Sequence, residues 1–178
     1  INMMDGTIEV ESELNKGSKF TVTIKLKLPE EQDNLQEPNN GLDKNLEELD
    51  LSGKRALLVE DNEINAEIAG EVLSMMGMQV EYATNGKEAV DMMMQATDKY
   101  YDIIFMDIQM PVMNGYEATR AIRSLPGDYS KRVPIIAMTA NAFSEDVLAS
   151  RNAGMNEHLS KPLEIDKLIV VLNKWLEK

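Results

Sequence analysis

Five short strand-like runs, near positions 55–60, 79–83, 102–107, 134–138 and 157–160, constrain this chain more than any other feature. Four of them lead directly to a polar side chain. Ala56-Leu57-Leu58-Val59-Glu60 leads to Asp61, and Ile103-Ile104-Phe105-Met106 to Asp107. Ile135-Ile136-Ala137-Met138 leads to Thr139, and His158-Leu159-Ser160 to Lys161. Runs without polar alternation are what strands of a parallel sheet need, because such strands are buried on both faces. In an open parallel sheet, ligands bind just beyond the carboxyl ends of the strands. Two acids, a hydroxyl and an amine therefore meet at one rim. Such a group can hold a divalent cation and stabilise a phosphoryl group on a carboxylate.

Helical patterns separate the runs, near 62–76, 86–96, 115–124 and 144–153, with a last one near 164–177. In the first, Ile68, Ala69, Val72, Leu73 and Met76 fall on one stripe and Gly77 follows as the terminator. Asn85-Gly86, Asn114-Gly115 and Gly154 mark other joints. Five strands alternating with five helices predict a three-layer α/β domain with right-handed crossovers. Met75, Met76, Met92, Met93 and Met94 read as core filler rather than as a metal or partner site.

Composition narrows the function. The net charge is −13, which argues against nucleic acid as a partner. There is no cysteine, so disulfides and Cys-based metal sites are excluded and the chain fits the cytosol. No apolar run spans a bilayer and no secretory signal is visible. The first residue is Ile, as expected of a piece of a longer protein. Residues 29–53 carry eight acids and one base together with Pro38-Asn39-Asn40-Gly41, and read as an acidic linker. Leu42, Leu46 and Leu49 allow a weak helix within it. The expected organisation is a head at 1–28, the linker at 29–53 and a main domain at 54–178.

Three carboxylates at the rim, Glu60, Asp61 and Asp107, repel one another unless a cation joins them. Oxygen-only ligands suit a hard ion such as Mg²⁺. The alternative is a solvated acidic rim without an ion, and Glu60 and Asp61 alone do not choose between the two. Lys161 and Thr139 favour the ion: the ammonium can pair with Asp107 or an anion on it, and the hydroxyl can donate to a developing anionic oxygen.

The motifs Leu58-Val59-Glu60-Asp61-Asn62, Met106-Asp107-Ile108-Gln109-Met110-Pro111-Val112-Met113-Asn114-Gly115, Met138-Thr139-Ala140 and Ser160-Lys161-Pro162 together resemble the receiver (response-regulator) domain of two-component phosphorelays, over about residues 54–178. The resemblance implies a flavodoxin-like (βα)5 fold with strand order 2-1-3-4-5. It implies that Asp107 accepts a phosphoryl group from a phosphohistidine, and that Asp61, Asp107, the Gln109 carbonyl and, through water, Glu60 hold Mg²⁺. Lys161 would pair with Asp107 and then with the phosphoryl group, Thr139 would turn inward to bond it, and Ala140 would leave room. The Lys161–Pro162 bond is expected to be cis. Gln109 and Asn141 occupy positions that tune attack by water. The implied phosphodonor is the histidine-bearing domain of a kinase or a histidine phosphotransfer protein.

His158, the only histidine, stands where the family usually carries Tyr or Phe. Its readings are a switch residue with a titratable ring, or a partly buried spacer on the last strand; the spacer is the commoner fate. Ile64 either docks the phosphodonor's helices or extends the core face.

The head reads Met4-Asp5-Gly6-Thr7-Ile8-Glu9-Val10-Glu11-Ser12, then Asn15-Lys16-Gly17-Ser18-Lys19-Phe20 and Thr21-Val22-Thr23-Ile24-Lys25-Leu26, a β-hairpin pattern. It resembles the closing hairpin of a histidine-kinase ATP-binding domain. The order of parts implies the C-terminal portion of a hybrid sensor histidine kinase, whose parent could be membrane-anchored. The glycine and asparagine motifs of ATP binding and the phosphoaccepting histidine helix are missing. This piece is thus expected neither to bind ATP nor to phosphorylate itself from it, but only to turn over its own aspartyl phosphate. No DNA-binding domain is expected to follow, no membrane contact is expected, and the receiver is expected to be monomeric. A dehalogenase-type phosphatase would carry an acid at Gln109, a flavodoxin a Ser/Thr/Gly loop at Glu60-Asp61-Asn62, and a nucleotide-binding P-loop motif is absent. The runner-up is a non-phosphorylated interaction module, which would lose Asp107 or Lys161.

Overall fold

The computed structural model describes residues 7–13, 17–23, 51–139 and 144–176. The chain divides into two units, Ile1–Pro38 and Asn39–Lys178. The weak helix expected near 42–49 and most of the acidic linker lie outside the described residues.

The first unit is an antiparallel hairpin of β1 (Thr7–Glu13) and β2 (Gly17–Thr23), as the alternation predicts. Val10 pairs with Phe20, and the two are 56% and 66% exposed. Across the hairpin Lys19 lies 3.5 Å from Glu11.

The second unit contains β3 (Arg55–Val59), α1 (Glu63–Met75), β4 (Gln79–Ala83), α2 (Gly86–Gln95), β5 (Ile103–Asp107), α3 (Gly115–Ser124), the short α4 (Tyr129–Arg132), β6 (Ile135–Thr139), α5 (Ser144–Ala153), β7 (Glu157–Ser160) and α6 (Ile165–Leu176). The parallel sheet runs β4-β3-β5-β6-β7, which is 2-1-3-4-5 within this unit. Every residue of β5 and β6 is buried, as their unbroken apolar runs require. Alternate residues feed two cores. Leu57, Val59, Ile104, Met106, Ile135 and Ala137 pack on one face with Ala89, Met93, Ala118 and Ile122 of α2 and α3. Ala56, Leu58, Ile103, Phe105, Ile136 and Met138 pack on the other with Ala69 and Leu73 of α1 and Leu168 and Leu172 of α6. This is the three-layer, flavodoxin-like arrangement.

Some expectations need correcting. Ile68 falls on the expected core stripe but is 59% exposed, because the buried arc of α1 is narrow: Ala69, Gly70 and Leu73, with Met76 just beyond its end. Met75 and Met94 are exposed rather than core filler, whereas Met76 and Met93 are buried. Glu60 lies one residue past β3 rather than within it. The sequence patterns did not reveal α4. Its N-cap, Asp128, makes no side-chain capping bond, so tertiary contacts hold this turn.

Those contacts centre on Arg123. Its guanidinium donates to the carbonyls of Gly154 (3.0 Å), Ser130 (2.7 Å) and Val133 (2.8 Å), and to Asn156 Oδ1 (2.7 Å). Burial pulls its pKa down to about 10. Asn156 Oδ1 also accepts from the Ile135 N–H at 2.9 Å, so one side chain ties α3, α4 and the amino ends of β6 and β7. Tyr129 completes the joint: its hydroxyl accepts from the Tyr101 N–H and donates to the Tyr101 carbonyl. Arg123→Ala strands several of these acceptors. It should cost about 3 kcal/mol or more and lower the melting temperature by roughly 10 °C, read by thermal unfolding.

Candidate functional site

Sheet register brings the rim together. Val59 pairs with Met106, Asp107 with Met138, and Thr139 with Ser160. β5 therefore ends one residue beyond β3 and β6 one beyond β5, while β7 ends level with β6, so Glu60, Asp107, Thr139 and Lys161 emerge at one rim. The ladder continues past the strands. The Glu60 N–H donates to the Ala83 carbonyl (3.0 Å), Ile108 N–H to Met138 (3.2 Å), and Lys161 N–H to Thr139 (2.8 Å). These bonds hold the first rim residues as firmly as strand residues.

The loop after Asp107 is held by two close backbone approaches. A Cβ on Gly115 would lie 2.2 Å from the Asp107 carbonyl oxygen, and one on Gly86 would lie 2.6 Å from that of Met113. Only glycine allows α3 to start this close to the end of β5. Asn114 caps α3 in a reciprocal box with Glu117. Within the loop, Val112 has φ +69° and is 84% exposed. The loop presents Gln109, whose N–H donates to Asp107 Oδ1 at 3.1 Å. The Lys161–Pro162 bond is cis.

Glu60 and Asp107 are only 4% and 5% exposed, while Asp61 is exposed. The three carboxylates offer ligand oxygens that all lie within 4.8 Å of one another. Lys161 stands between two of them, 2.8 Å from Asp107 Oδ2 and in direct contact with Glu60 Oε2. The other Glu60 oxygen accepts from Asn65 Nδ2 at 3.0 Å. Burial raises the Asp107 pKa above the ordinary carboxylate value; Lys161 opposes the rise and Glu60 adds to it. One ammonium thus faces three acids. An oxygen-only donor set with unbalanced negative charge fits a hard divalent cation.

Thr139 ends β6, 8% exposed. His158 is half-buried on β7, opposite Ala137. Ala140 and Asn141 lie outside the described residues. Ile64 is 67% exposed on the first turn of α1, so it does not extend the core face. Sequence reasoning missed the Glu60–Lys161 pair and Asn65. A sequence signal for Asn65 exists: helices α2 and α3 follow their capping asparagines with Glu88 and Glu117 three residues later, whereas α1 follows Asn62 with Asn65.

The Asp107 shift carries a stability consequence. Its folded pKa lies above its unfolded one, so the unfolded chain releases the proton first as pH rises. Charging Asp107 therefore costs folding free energy at neutral pH, and the cost vanishes once both states are protonated. In Mg²⁺-free buffer at pH 7, Asp107→Asn should melt above the unsubstituted chain. The gap should close as pH falls below the carboxylate range.

The family model of the response regulator receiver domain matches residues 56–173. The aerobic respiration control sensor protein ArcB of Escherichia coli K12 is 36% identical over 174 residues, covering 97% of this chain and 21% of that protein. This chain thus spans about a fifth of that relative's length. The receiver domain of a sensor histidine kinase from Pseudomonas aeruginosa PAO1, with a magnesium ion in its active site cleft, is 38% identical. It superposes with a TM-score of 0.64 over 71% of this chain and 100% of that one. The Saccharomyces cerevisiae complex of the phosphotransfer protein Ypd1 with the receiver domain of Ssk1 matches with 32% identity and a TM-score of 0.61. That match covers 68% of this chain and 88% of that one.

Proposed function

We propose, from the premise that this chain belongs to the response regulator receiver family, that Asp107 is its phosphoacceptor and that Glu60, Asp61 and Asp107 form its Mg²⁺ site. The chain is a receiver domain of a two-component phosphorelay, similar to the receiver regions of hybrid histidine kinases. The observation that carries the residue assignment is the buried Asp107 carboxylate, with Oδ1 held by the Gln109 N–H and Oδ2 by Lys161.

A carboxylate oxygen of Asp107 attacks the phosphorus of a phosphohistidine. A P–O bond forms, the P–N bond breaks, and the imidazole nitrogen leaves with the bonding pair. Mg²⁺, when bound, supplies positive charge against the carboxylates and the phosphoryl oxygens. The Gln109 carbonyl would join the carboxylates in holding the ion. Lys161 neutralises the transferred group, and the Thr139 hydroxyl donates to one of its oxygens. The protein contributes position and charge, as phosphoryl transfer generally requires. Gln109, Ala140 and Asn141 tune access of water, and His158 takes the place of the aromatic ring coupled to Thr139. Asp107 and Lys161 are both present and paired, which favours this reading over a non-phosphorylated module.

The fragment is read as three parts: 1–28 closing a kinase ATP-binding domain, 29–53 a linker, and 54–178 the receiver. The match to a sensor kinase over 97% of the chain runs through the hairpin and supports the first part. The donor is a histidine phosphotransfer protein or a kinase's histidine domain. The receiver works as a monomer in the cytoplasm, where a kinase histidine is charged from ATP. Among the described residues no helix is long and apolar enough to cross a membrane.

With Mg²⁺ and acetyl phosphate, the intact mass should rise by one phosphoryl group, and Asp107→Asn should show no gain. A gain that survives that substitution would move the acceptor elsewhere. Exposed Ile64, beside the rim, is read as a contact for the donor. Ile64→Asp should slow transfer from a phosphotransfer protein about tenfold more than transfer from acetyl phosphate.

A further inference from the structure

The Glu60 carboxylate has a partner on each oxygen, and only one of them is a charge. Oε2 contacts Lys161, while Oε1 accepts from the Asn65 amide at 3.0 Å. The Asn65 backbone N–H donates to the capping Asn62 Oδ1 at 3.1 Å, while its side-chain amide donates to Glu60. It is exposed and open to water, yet it reaches back five residues to a buried acid.

Its position is the third of the helix, where the family of capping boxes places Glu or Gln. The two other asparagine-capped helices follow that rule with Glu88 and Glu117. A glutamate at 65 would set a fourth carboxylate against Glu60; an amide gives a donor and adds no charge. Without that donor, Glu60 is free to turn both oxygens to Lys161. The ammonium would then compete better against any other cation for the same carboxylate.

We propose that Asn65 is a positioning residue of the metal site: its amide fixes the Glu60 carboxylate and keeps one oxygen off Lys161, so that the Glu60–Asp61–Asp107 cluster stays open to a divalent cation. The inference rests on the reading of this cluster as a Mg²⁺ site. Partners in the shell behind metal ligands commonly change metal affinity by about 10–100-fold when removed.

The test is Mg²⁺ binding to the whole chain by isothermal titration calorimetry, with circular dichroism to verify folding. Asn65→Ala keeps the backbone cap and improves helix propensity, and Asn65→Leu keeps the side-chain bulk. Both should bind Mg²⁺ about tenfold more weakly than the unsubstituted chain. In a Glu60→Gln background the same substitutions should cause no further loss, because Asn65 acts through Glu60. Folded Asn65 variants that bind Mg²⁺ with unchanged affinity would overturn the proposal. So would a second loss of equal size in the Glu60→Gln background, since a general structural effect would persist there. An unsubstituted chain that takes up no Mg²⁺ would remove the metal-site reading itself, and this inference with it.

Discussion

The ammonium of Lys161 is the interaction on which the site depends. Two carboxylates that are almost fully buried, Glu60 and Asp107, share it, and a third acid stands within reach. Removing the lysine would leave two buried carboxylates uncompensated, which is far more costly than losing a surface ion pair. The arrangement is also incomplete: one positive charge cannot balance three acids, and burial still disfavours the charged form of Asp107. The site is therefore stable enough to exist and unbalanced enough to attract a cation.

The rest of the domain maintains that imbalance. The cores on the two faces fix strands β3, β5, β6 and β7 in register, and the register sets Glu60, Asp107, Thr139 and Lys161 in adjacent places. Gly86 and Gly115 bring the loop after Asp107 close enough for the Gln109 N–H to reach the carboxylate. Arg123 performs a comparable task at the opposite, amino edge of the sheet, but with neutral acceptors only. One edge is thus tied shut by satisfied hydrogen bonds, and the other is left electrostatically open.

Much of this was legible in the sequence because the features are local or periodic. Unbroken apolar runs marked β5 and β6 as buried parallel strands, and the polar residue after each run marked the rim. The receiver resemblance implied the strand order that the sheet has, and it is the source of the roles proposed for Asp107, Lys161 and Thr139. What escaped had tertiary causes. Helix α4 is four residues long, without a side-chain cap, and forms because Arg123 and Tyr129 collect its backbone. The contact of Glu60 with Lys161 joins residues 101 positions apart, and no spacing rule predicts it. Ile68 sits at helical spacing for the core, yet the inward arc of α1 is narrow and leaves it exposed beside Pro162 and Leu163.

The same charge balance gives phosphorylation its leverage under the proposed reading. Phosphorylation exchanges the single charge of the Asp107 carboxylate for that of a phosphate, on the order of −1.5 to −2 near neutral pH, beside the two remaining acids Glu60 and Asp61. The nearest cation supplied by the chain itself is Lys161, which is committed to Glu60 and Asp107. Pairing it with the phosphoryl oxygens requires a new division of its contacts, and Lys161 is joined to β7 and to Thr139 through its own backbone N–H. Glu60 must meanwhile keep its place while losing part of its hold on the lysine. Among the described residues, the bond from Asn65 is the side-chain hydrogen bond on Glu60 that does not depend on Lys161. That makes the two ends of Glu60 separable: one is a charge pair that can be redistributed, and the other is a neutral hydrogen bond that holds the carboxylate while it happens.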